Sequence, residues 1–225
     1  MLTICTWLWG RSKYTSIYVE RLYAGLKRHL QRPFRFLLMT DQLIDARFEI
    51  ERYDILDPEL TRIRGCFARL RMFDIEWQKH RQIDGPIVNL DLDVVITGPL
   101  NELFTRQEPL VLLEGANSSN PCPFNGSVFM FQPGAHYELW ATFSLSAAQK
   151  MRFSEFPDDQ GWFWHKVPRA ATWKVGPTSG IWSFRKRNWP QGDELPRGAR
   201  IVAFPGHRDP AQFTHLQWVK ENWIA

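Results

Sequence analysis

The chain alternates short apolar runs with amphipathic stretches, and the two periods trade places along its first half. "MLTICTWLW" is an apolar run ended by Gly10, the pattern of a buried strand. "SIYVERLYAGLKRHL" then sets Ile17, Leu22, Leu26 and Leu30 near one helical face with Arg and Lys opposite, and Pro33 closes the helix. "FRFLLMTD" returns to the strand pattern. A strand–helix–strand unit predicts a mostly parallel central sheet covered by helices. "GCFARLRMFDIEWQKH" predicts a second amphipathic helix, "PLVLLEG" and "GSVFMFQPG" further strands, and "AHYELWATFSLSAAQKM" another helix. The last third is rich in Trp, Pro and Gly and shows no clear period. No repeat, linker or low-complexity run divides residues 1–225, so the pattern predicts one α/β domain.

One segment breaks the apolar logic. In "GPIVNLDLDVVITGPLNELF" two acids, Asp91 and Asp93, flank Leu92 inside one of the most hydrophobic stretches. If Ile87 to Leu90 form a central strand, alternation points both carboxylates the same way. Ligands of open α/β sheets gather beyond the carboxyl ends of strands. Two carboxylates there suit Mg²⁺ or Mn²⁺, which takes one or two protein carboxylates plus phosphate oxygens. A plainer reading has one acid capping a turn and the other pairing with an Arg. Unpaired carboxylates near a core are unfavourable, which favours a site.

Composition narrows the class. A chain of 225 residues can bury a sizeable core, and 23% charged with 44% hydrophobic residues is a soluble mix. No stretch approaches the roughly 18 consecutive apolar residues of a membrane span. The start lacks a basic region before its short apolar run, so it reads as a first strand in a cytoplasmic protein. Cys5, Cys66 and Cys122 are odd in number and widely spaced, which argues against a disulfide framework or zinc and suits a reducing compartment. The net charge of +4 comes from scattered basic residues, which disfavours nucleic acid and leaves an anionic small molecule or lipid surface. Eleven Trp offer flat faces for sugar or base, although packing is their commonest use.

Several motifs stand in one order along the chain: an N-terminal strand ending in "WG" before a Tyr, "YVERLYAGLKRHLQRPFRFLLMTD", "CFARLRMFD", "VNLDLDVVITGPLNELF", "PFNGSVFMF", "DDQGWF" and "VAFPGHRDP". Together they resemble small bacterial glycosyltransferases of the GT-A fold, related to the family that contains glycogenin and the lipopolysaccharide galactosyltransferases. The resemblance implies a single GT-A, Rossmann-like domain that binds a nucleotide-sugar donor, UDP-linked in the expected case. The acceptor would be a carbohydrate or glycolipid, and relatives retain the anomeric configuration. The apolar pattern, with no transmembrane segment, puts the expected location in the cytoplasm, with room for peripheral contact at the inner membrane face. The D-x-D carboxylates would hold Mn²⁺ or Mg²⁺ against the diphosphate, Asp93 by direct ligation and Asp91 shared with the ribose. Charge growing on the diphosphate leaving group is what the ion would stabilise.

The same resemblance assigns base and ribose to Thr6, Trp7 and Trp9, with Tyr14 stacking on the base, although the two Trp also suit core packing. Arg69 matches a donor-contacting basic position and equally suits a surface ion pair. Asn125, Gly126 and Ser127 fit backbone approach and hydrogen bonds to sugar hydroxyls, or simply a polar turn. Asp159 falls on donor-sugar hydroxyls and Gln160 near the far face of the reacting carbon, against helix N-capping as the plainer role. Relatives carry a third metal ligand, His, just before the Gly of the C-terminal turn. Here that position is Pro205 and the nearest imidazole is His207, so the third ligand is His207, water, or absent.

Two other classes fit some of these residues. "NLDLDVV" resembles the first motif of haloacid-dehalogenase-type phosphatases, where the first Asp is a nucleophile. That motif usually opens its domain, whereas here a full strand–helix–strand unit precedes it. The Trp content also suits a non-catalytic carbohydrate- or nucleotide-binding module.

Overall fold

The first apolar run forms β1 (Leu2–Leu8), buried throughout, and the amphipathic stretch after it forms α1 (Ser16–His29). These and all later elements come from a computed structural model that describes residues 1–10, 14–44, 49–63, 65–116, 120–151 and 158–225. In chain order there follow β2 (Phe34–Thr40), β3 (Glu51–Asp54), α2 (Pro58–Arg62), a 3-10 turn (Phe67–Phe73) and α3 (Ile75–His80). Next come β4 (Ile87–Leu90), β5 (Val94–Ile96), β6 (Leu110–Glu114), β7 (Phe124–Phe131), α4 (Glu138–Ala141), α5 (Leu145–Met151) and α6 (Asp159–Lys166). The chain closes with β8 (Ala171–Trp173), β9 (Ile181–Ser183), β10 (Ile201–Ala203) and α7 (Gln217–Asn222).

Among the described residues seven strands form the main sheet, in the order β3-β2-β1-β4-β7-β6-β8. Its neighbours pair in parallel except at β7, which runs against both β4 and β6. The mostly parallel, helix-covered sheet expected from the pattern is therefore present. A smaller sheet, β5-β10-β9, packs beside it.

Period-2 alternation splits the main sheet between two cores. Ile4 and Leu8 face the layer holding Leu22 and Leu26 of α1, while Cys5 and Trp7 face the layer holding Phe67, Phe73 and Phe163. Each fully buried large apolar side chain contributes about 1.5–3 kcal/mol. Among the described residues no helix is long and apolar enough to cross a membrane.

Three expected elements differ in detail. The helix expected over 65–80 breaks at Asp74, whose extended backbone and side chain, accepting from the Glu76 N–H at 2.9 Å, start α3 anew. The helix expected over 135–151 splits into α4 and α5. Thr142 Oγ1 bonds back to the Glu138 carbonyl at 2.7 Å, and Ser144 Oγ takes the Ala147 N–H at 3.2 Å. The strand expected from Gly126 begins at Phe124, so Asn125–Ser127 lie inside β7 at an irregularity where the partner of Leu112 is Phe129 and that of Leu113 is Asn125.

Candidate active site

β1 and β4 are parallel neighbours, so their carboxyl ends open at the same edge of the sheet. A cavity of ≈ 450 Å³ lies there, lined by Trp7, Trp9, Tyr14, Arg69, Asp91 and Asp93; Cys66, Leu92, Asp158 and Gly206 complete it. A larger groove of ≈ 760 Å³ runs between the end of α1 and β2–β3. Its Arg35 and Glu51 are paired to each other at 2.6 Å.

Both acids belong to the turn that leaves β4. Leu92 between them is buried and pins that turn to the core. The Asp91 N–H donates to the Ser127 carbonyl at 2.9 Å, and the Asp93 carbonyl accepts from the Phe204 N–H at 3.1 Å. The turn is thus held by β7 on one side and by the segment after β10 on the other. The Tyr14 hydroxyl donates to Asp93 Oδ2 at 2.6 Å. Burial, and then the Asp93 carboxylate, push that phenol far above its usual range, so it remains an O–H donor.

Arg69 is the centre of the charged cluster. It is only 3% exposed, and a guanidinium there needs partners on every side. Its Nε and Nη2 donate to Asp159 Oδ2 at 3.0 and 2.8 Å, and its Nη1 donates to Asp91 Oδ1 and, at 3.1 Å, to the Gly126 carbonyl. Burial opposes the Arg69 charge, but Asp159 and Asp91 outweigh it and hold the group firmly protonated. Asp159 is 0% exposed. Burial pushes its carboxyl well up, Arg69 opposes this, and Asp158 and Asp91 add to it. Asp159 Oδ1 is buried with no hydrogen-bond partner among the described residues.

Apart from His207, the site residues named from sequence fall into three positions. Trp7, Trp9, Tyr14, Arg69, Asp91 and Asp93 line the cavity. Asp159 and Gly126 stand behind Arg69. Thr6, Asn125, Ser127 and Gln160 brace the surroundings. The Thr6 hydroxyl, fully buried, donates to the Leu90 carbonyl at 2.8 Å, and Asn125 Oδ1 accepts the Ser127 N–H at 2.8 Å. Asp158 caps α6, accepting from the Gln160 N–H at 2.9 Å, and the Gln160 amide donates to the same carboxylate at 2.9 and 3.0 Å. Phe156 and Pro157 of that motif lie outside the described residues. His207 is exposed, one residue beyond Gly206. Among the described residues no three His, Cys, Asp or Glu gather as a metal cluster.

Sequence reasoning missed the Tyr14–Asp93 bond and the places of Asp158 and Cys66 on the cavity wall. The first joins residues 79 apart in sequence, and no local pattern announces it. Cys66 offers little as a nucleophile, since burial pushes its thiol up.

No protein-family model matches the chain, and no curated protein matches it. Solved structures do. The galactosyltransferase LgtC in complex with donor and acceptor sugar analogs aligns over 99% of this chain and 97% of its own, with a TM-score of 0.62 and 11% identity. An active-site mutant of LgtC, glutamine to glutamate, aligns over 92% and 89% with a TM-score of 0.60 and 12% identity. At this identity the likeness shows the fold, and the GT-A fold implied by the sequence motifs is present.

Proposed function

We propose that this GT-A-fold chain is a metal-dependent glycosyltransferase that moves a sugar from a nucleotide-sugar, UDP-linked, to a carbohydrate or glycolipid acceptor with retention of configuration. The observation that carries the reading is the pair Asp91 and Asp93, facing one cavity with Trp7, Trp9 and Tyr14 at the carboxyl end of β4. In support, the solved neighbour with this fold holds donor and acceptor sugar analogs.

The donor set fits Mn²⁺ or Mg²⁺. Asp91 and Asp93 are hard oxygen ligands, each already oriented by a protein partner, Arg69 on one and Tyr14 on the other. When bound, the ion would neutralise charge developing on the diphosphate leaving group. We assign its remaining positions to phosphate oxygens and to water or His207.

The chain's own residues do the rest. The Trp7 Nε1–H is buried without a hydrogen-bond partner among the described residues, a donor that a base or ribose oxygen would satisfy. Trp9 meets Trp7 edge-on, ring centroids 6.3 Å apart at 87°, and adds a second aromatic face to the cavity. We assign Arg69 to the donor's negative charge, and Asp159, buried behind it, to the donor-sugar side through the guanidinium it holds. Gln160 sits one layer back on Asp158, and we keep it as the residue near the reacting carbon. The LgtC mutant described above shows that a glutamine belongs to that enzyme's active site. Cys5, Cys66 and Cys122 are free thiols, as a cytoplasmic setting favours.

The phosphatase alternative loses ground on topology. The strand–helix–strand unit before the acids is not a separate leader, because β1 is hydrogen-bonded directly to β4.

The test is Asp93→Asn, which keeps the shape and removes the charge. Calorimetric titration with UDP should show Mn²⁺-dependent binding in the parent and none in the variant, at unchanged circular dichroism. Equal binding by both would end the metal-site reading.

A further inference from the structure

Tyr14 stands just before α1 and Tyr18 one turn on. Their rings meet edge to face, centroids 5.1 Å apart at 79°. Each phenol donates to an aspartate, Tyr14 to Asp93 Oδ2 at 2.6 Å and Tyr18 to Asp209 Oδ1 at 2.8 Å. Asp209 is itself fixed, since the same Oδ1 accepts the Ala211 N–H at 2.8 Å and caps the 3-10 turn Pro210–Phe213. On another side Tyr18 is closed by Trp223, ring centroids 5.1 Å apart at 68°. A continuous line of contacts thus runs from the acid pair, through two tyrosines of one helix start, to a buried aspartate 191 residues beyond Tyr18.

This line has a chemical use. A carboxylate that ligates a cation must present an oxygen in a fixed direction, and a hydrogen bond to it from behind supplies that restraint. A tyrosine just ahead of a helix can do so only if its own ring is held. We propose that Tyr14 is a positioning residue for Asp93, and that Tyr18, locked by Asp209, holds Tyr14 in place. The inference rests on the metal-site reading above and gives Tyr14 a duty beyond stacking on a base.

The test measures Mn²⁺ affinity in the presence of UDP, by electron paramagnetic resonance of unbound Mn²⁺. It compares the parent, Tyr14→Phe, Tyr18→Phe and the double variant. Tyr14 is half-buried and loses one oxygen, so its variant should keep the fold; thermal midpoints check this. Tyr14→Phe should weaken Mn²⁺ binding about tenfold or more, the usual loss when a ligand's outer partner is removed. Tyr18→Phe should weaken it less, and should add nothing in the Tyr14→Phe background, because its effect passes through Tyr14. A merely structural role would lower the thermal midpoint and leave the affinity of the folded protein unchanged. Parent-like affinity in Tyr14→Phe, or a Tyr18→Phe loss that persists in full in the double variant, overturns the inference while the metal site stands. A parent that binds no Mn²⁺ overturns the metal reading and the inference together.

Discussion

Arg69 shows why single residues here resist reading from sequence. Its helix-like surroundings suggest a surface ion pair, yet its partners lie 90, 22 and 57 residues away, at Asp159, Asp91 and Gly126. What sequence did make legible was the acid pair, because two carboxylates inside an apolar run are conspicuous on their own. Arg69→Met should expose how the cluster is balanced. It leaves Asp159 buried and unpaired, a change that costs about 3–5 kcal/mol. The pH dependence follows from the raised carboxyl of Asp159, which Arg69 no longer opposes. An unfolded aspartate titrates near about 3.9, so between that value and the higher folded value the folded chain holds a proton that the unfolded chain has lost. Stability then falls as pH rises through this window and is regained as pH drops below it. Urea unfolding should therefore show a larger deficit against the parent at about pH 7 than at about pH 4. Equal deficits at both would mean that Asp159 is not the buried charge left behind.

At the scale of elements, the hydrophobic period carried the reading as far as runs were long. β1, α1, β2, β4 and β6 lie within a residue or two of where the pattern put them. It failed where side-chain oxygens compete with the helix ladder, at Asp74, Thr142 and Ser144. It also failed for β8, β9 and β10, three residues each, too short to show a period. The irregularity in β7 is the element closest to function. It turns the Gly126 carbonyl onto Arg69 and the Ser127 carbonyl onto the Asp91 N–H. A Cβ on Gly126 would stand 2.7 Å from Arg69 Nη2 and 3.4 Å from Asp159 Oδ1. The guanidinium cannot swing aside without leaving two carboxylates. Gly126→Ala should then destabilise by about 1–3 kcal/mol and weaken nucleotide-sugar binding as Arg69 shifts. An unchanged denaturation midpoint with parent-like binding would show that Arg69 has room to move.

Across the whole molecule, the D-x-D turn is the joint between the two sheets. β4 of the main sheet enters it, β5 of the small sheet leaves it, and Val94 pairs at once with Ala203 of β10. The C-terminal third, unreadable by period, therefore forms part of the site's support: Phe204 bonds the turn, Gly206 lines the cavity, and Asp209 locks Tyr18. The fold likeness to LgtC spans nearly the entire chain, so the GT-A architecture runs through both sheets. The proposed function requires this architecture to handle nucleotide-sugars through a metal held by Asp91 and Asp93. The direct measurement is release of nucleoside diphosphate from a panel of nucleotide-sugars, with a generic phosphate ester alongside. At least one donor, UDP-linked, should be turned over with Mn²⁺ present, stopped by a chelator and restored by fresh Mn²⁺. Hydrolysis of the phosphate ester with every nucleotide-sugar left intact and unbound would contradict the account.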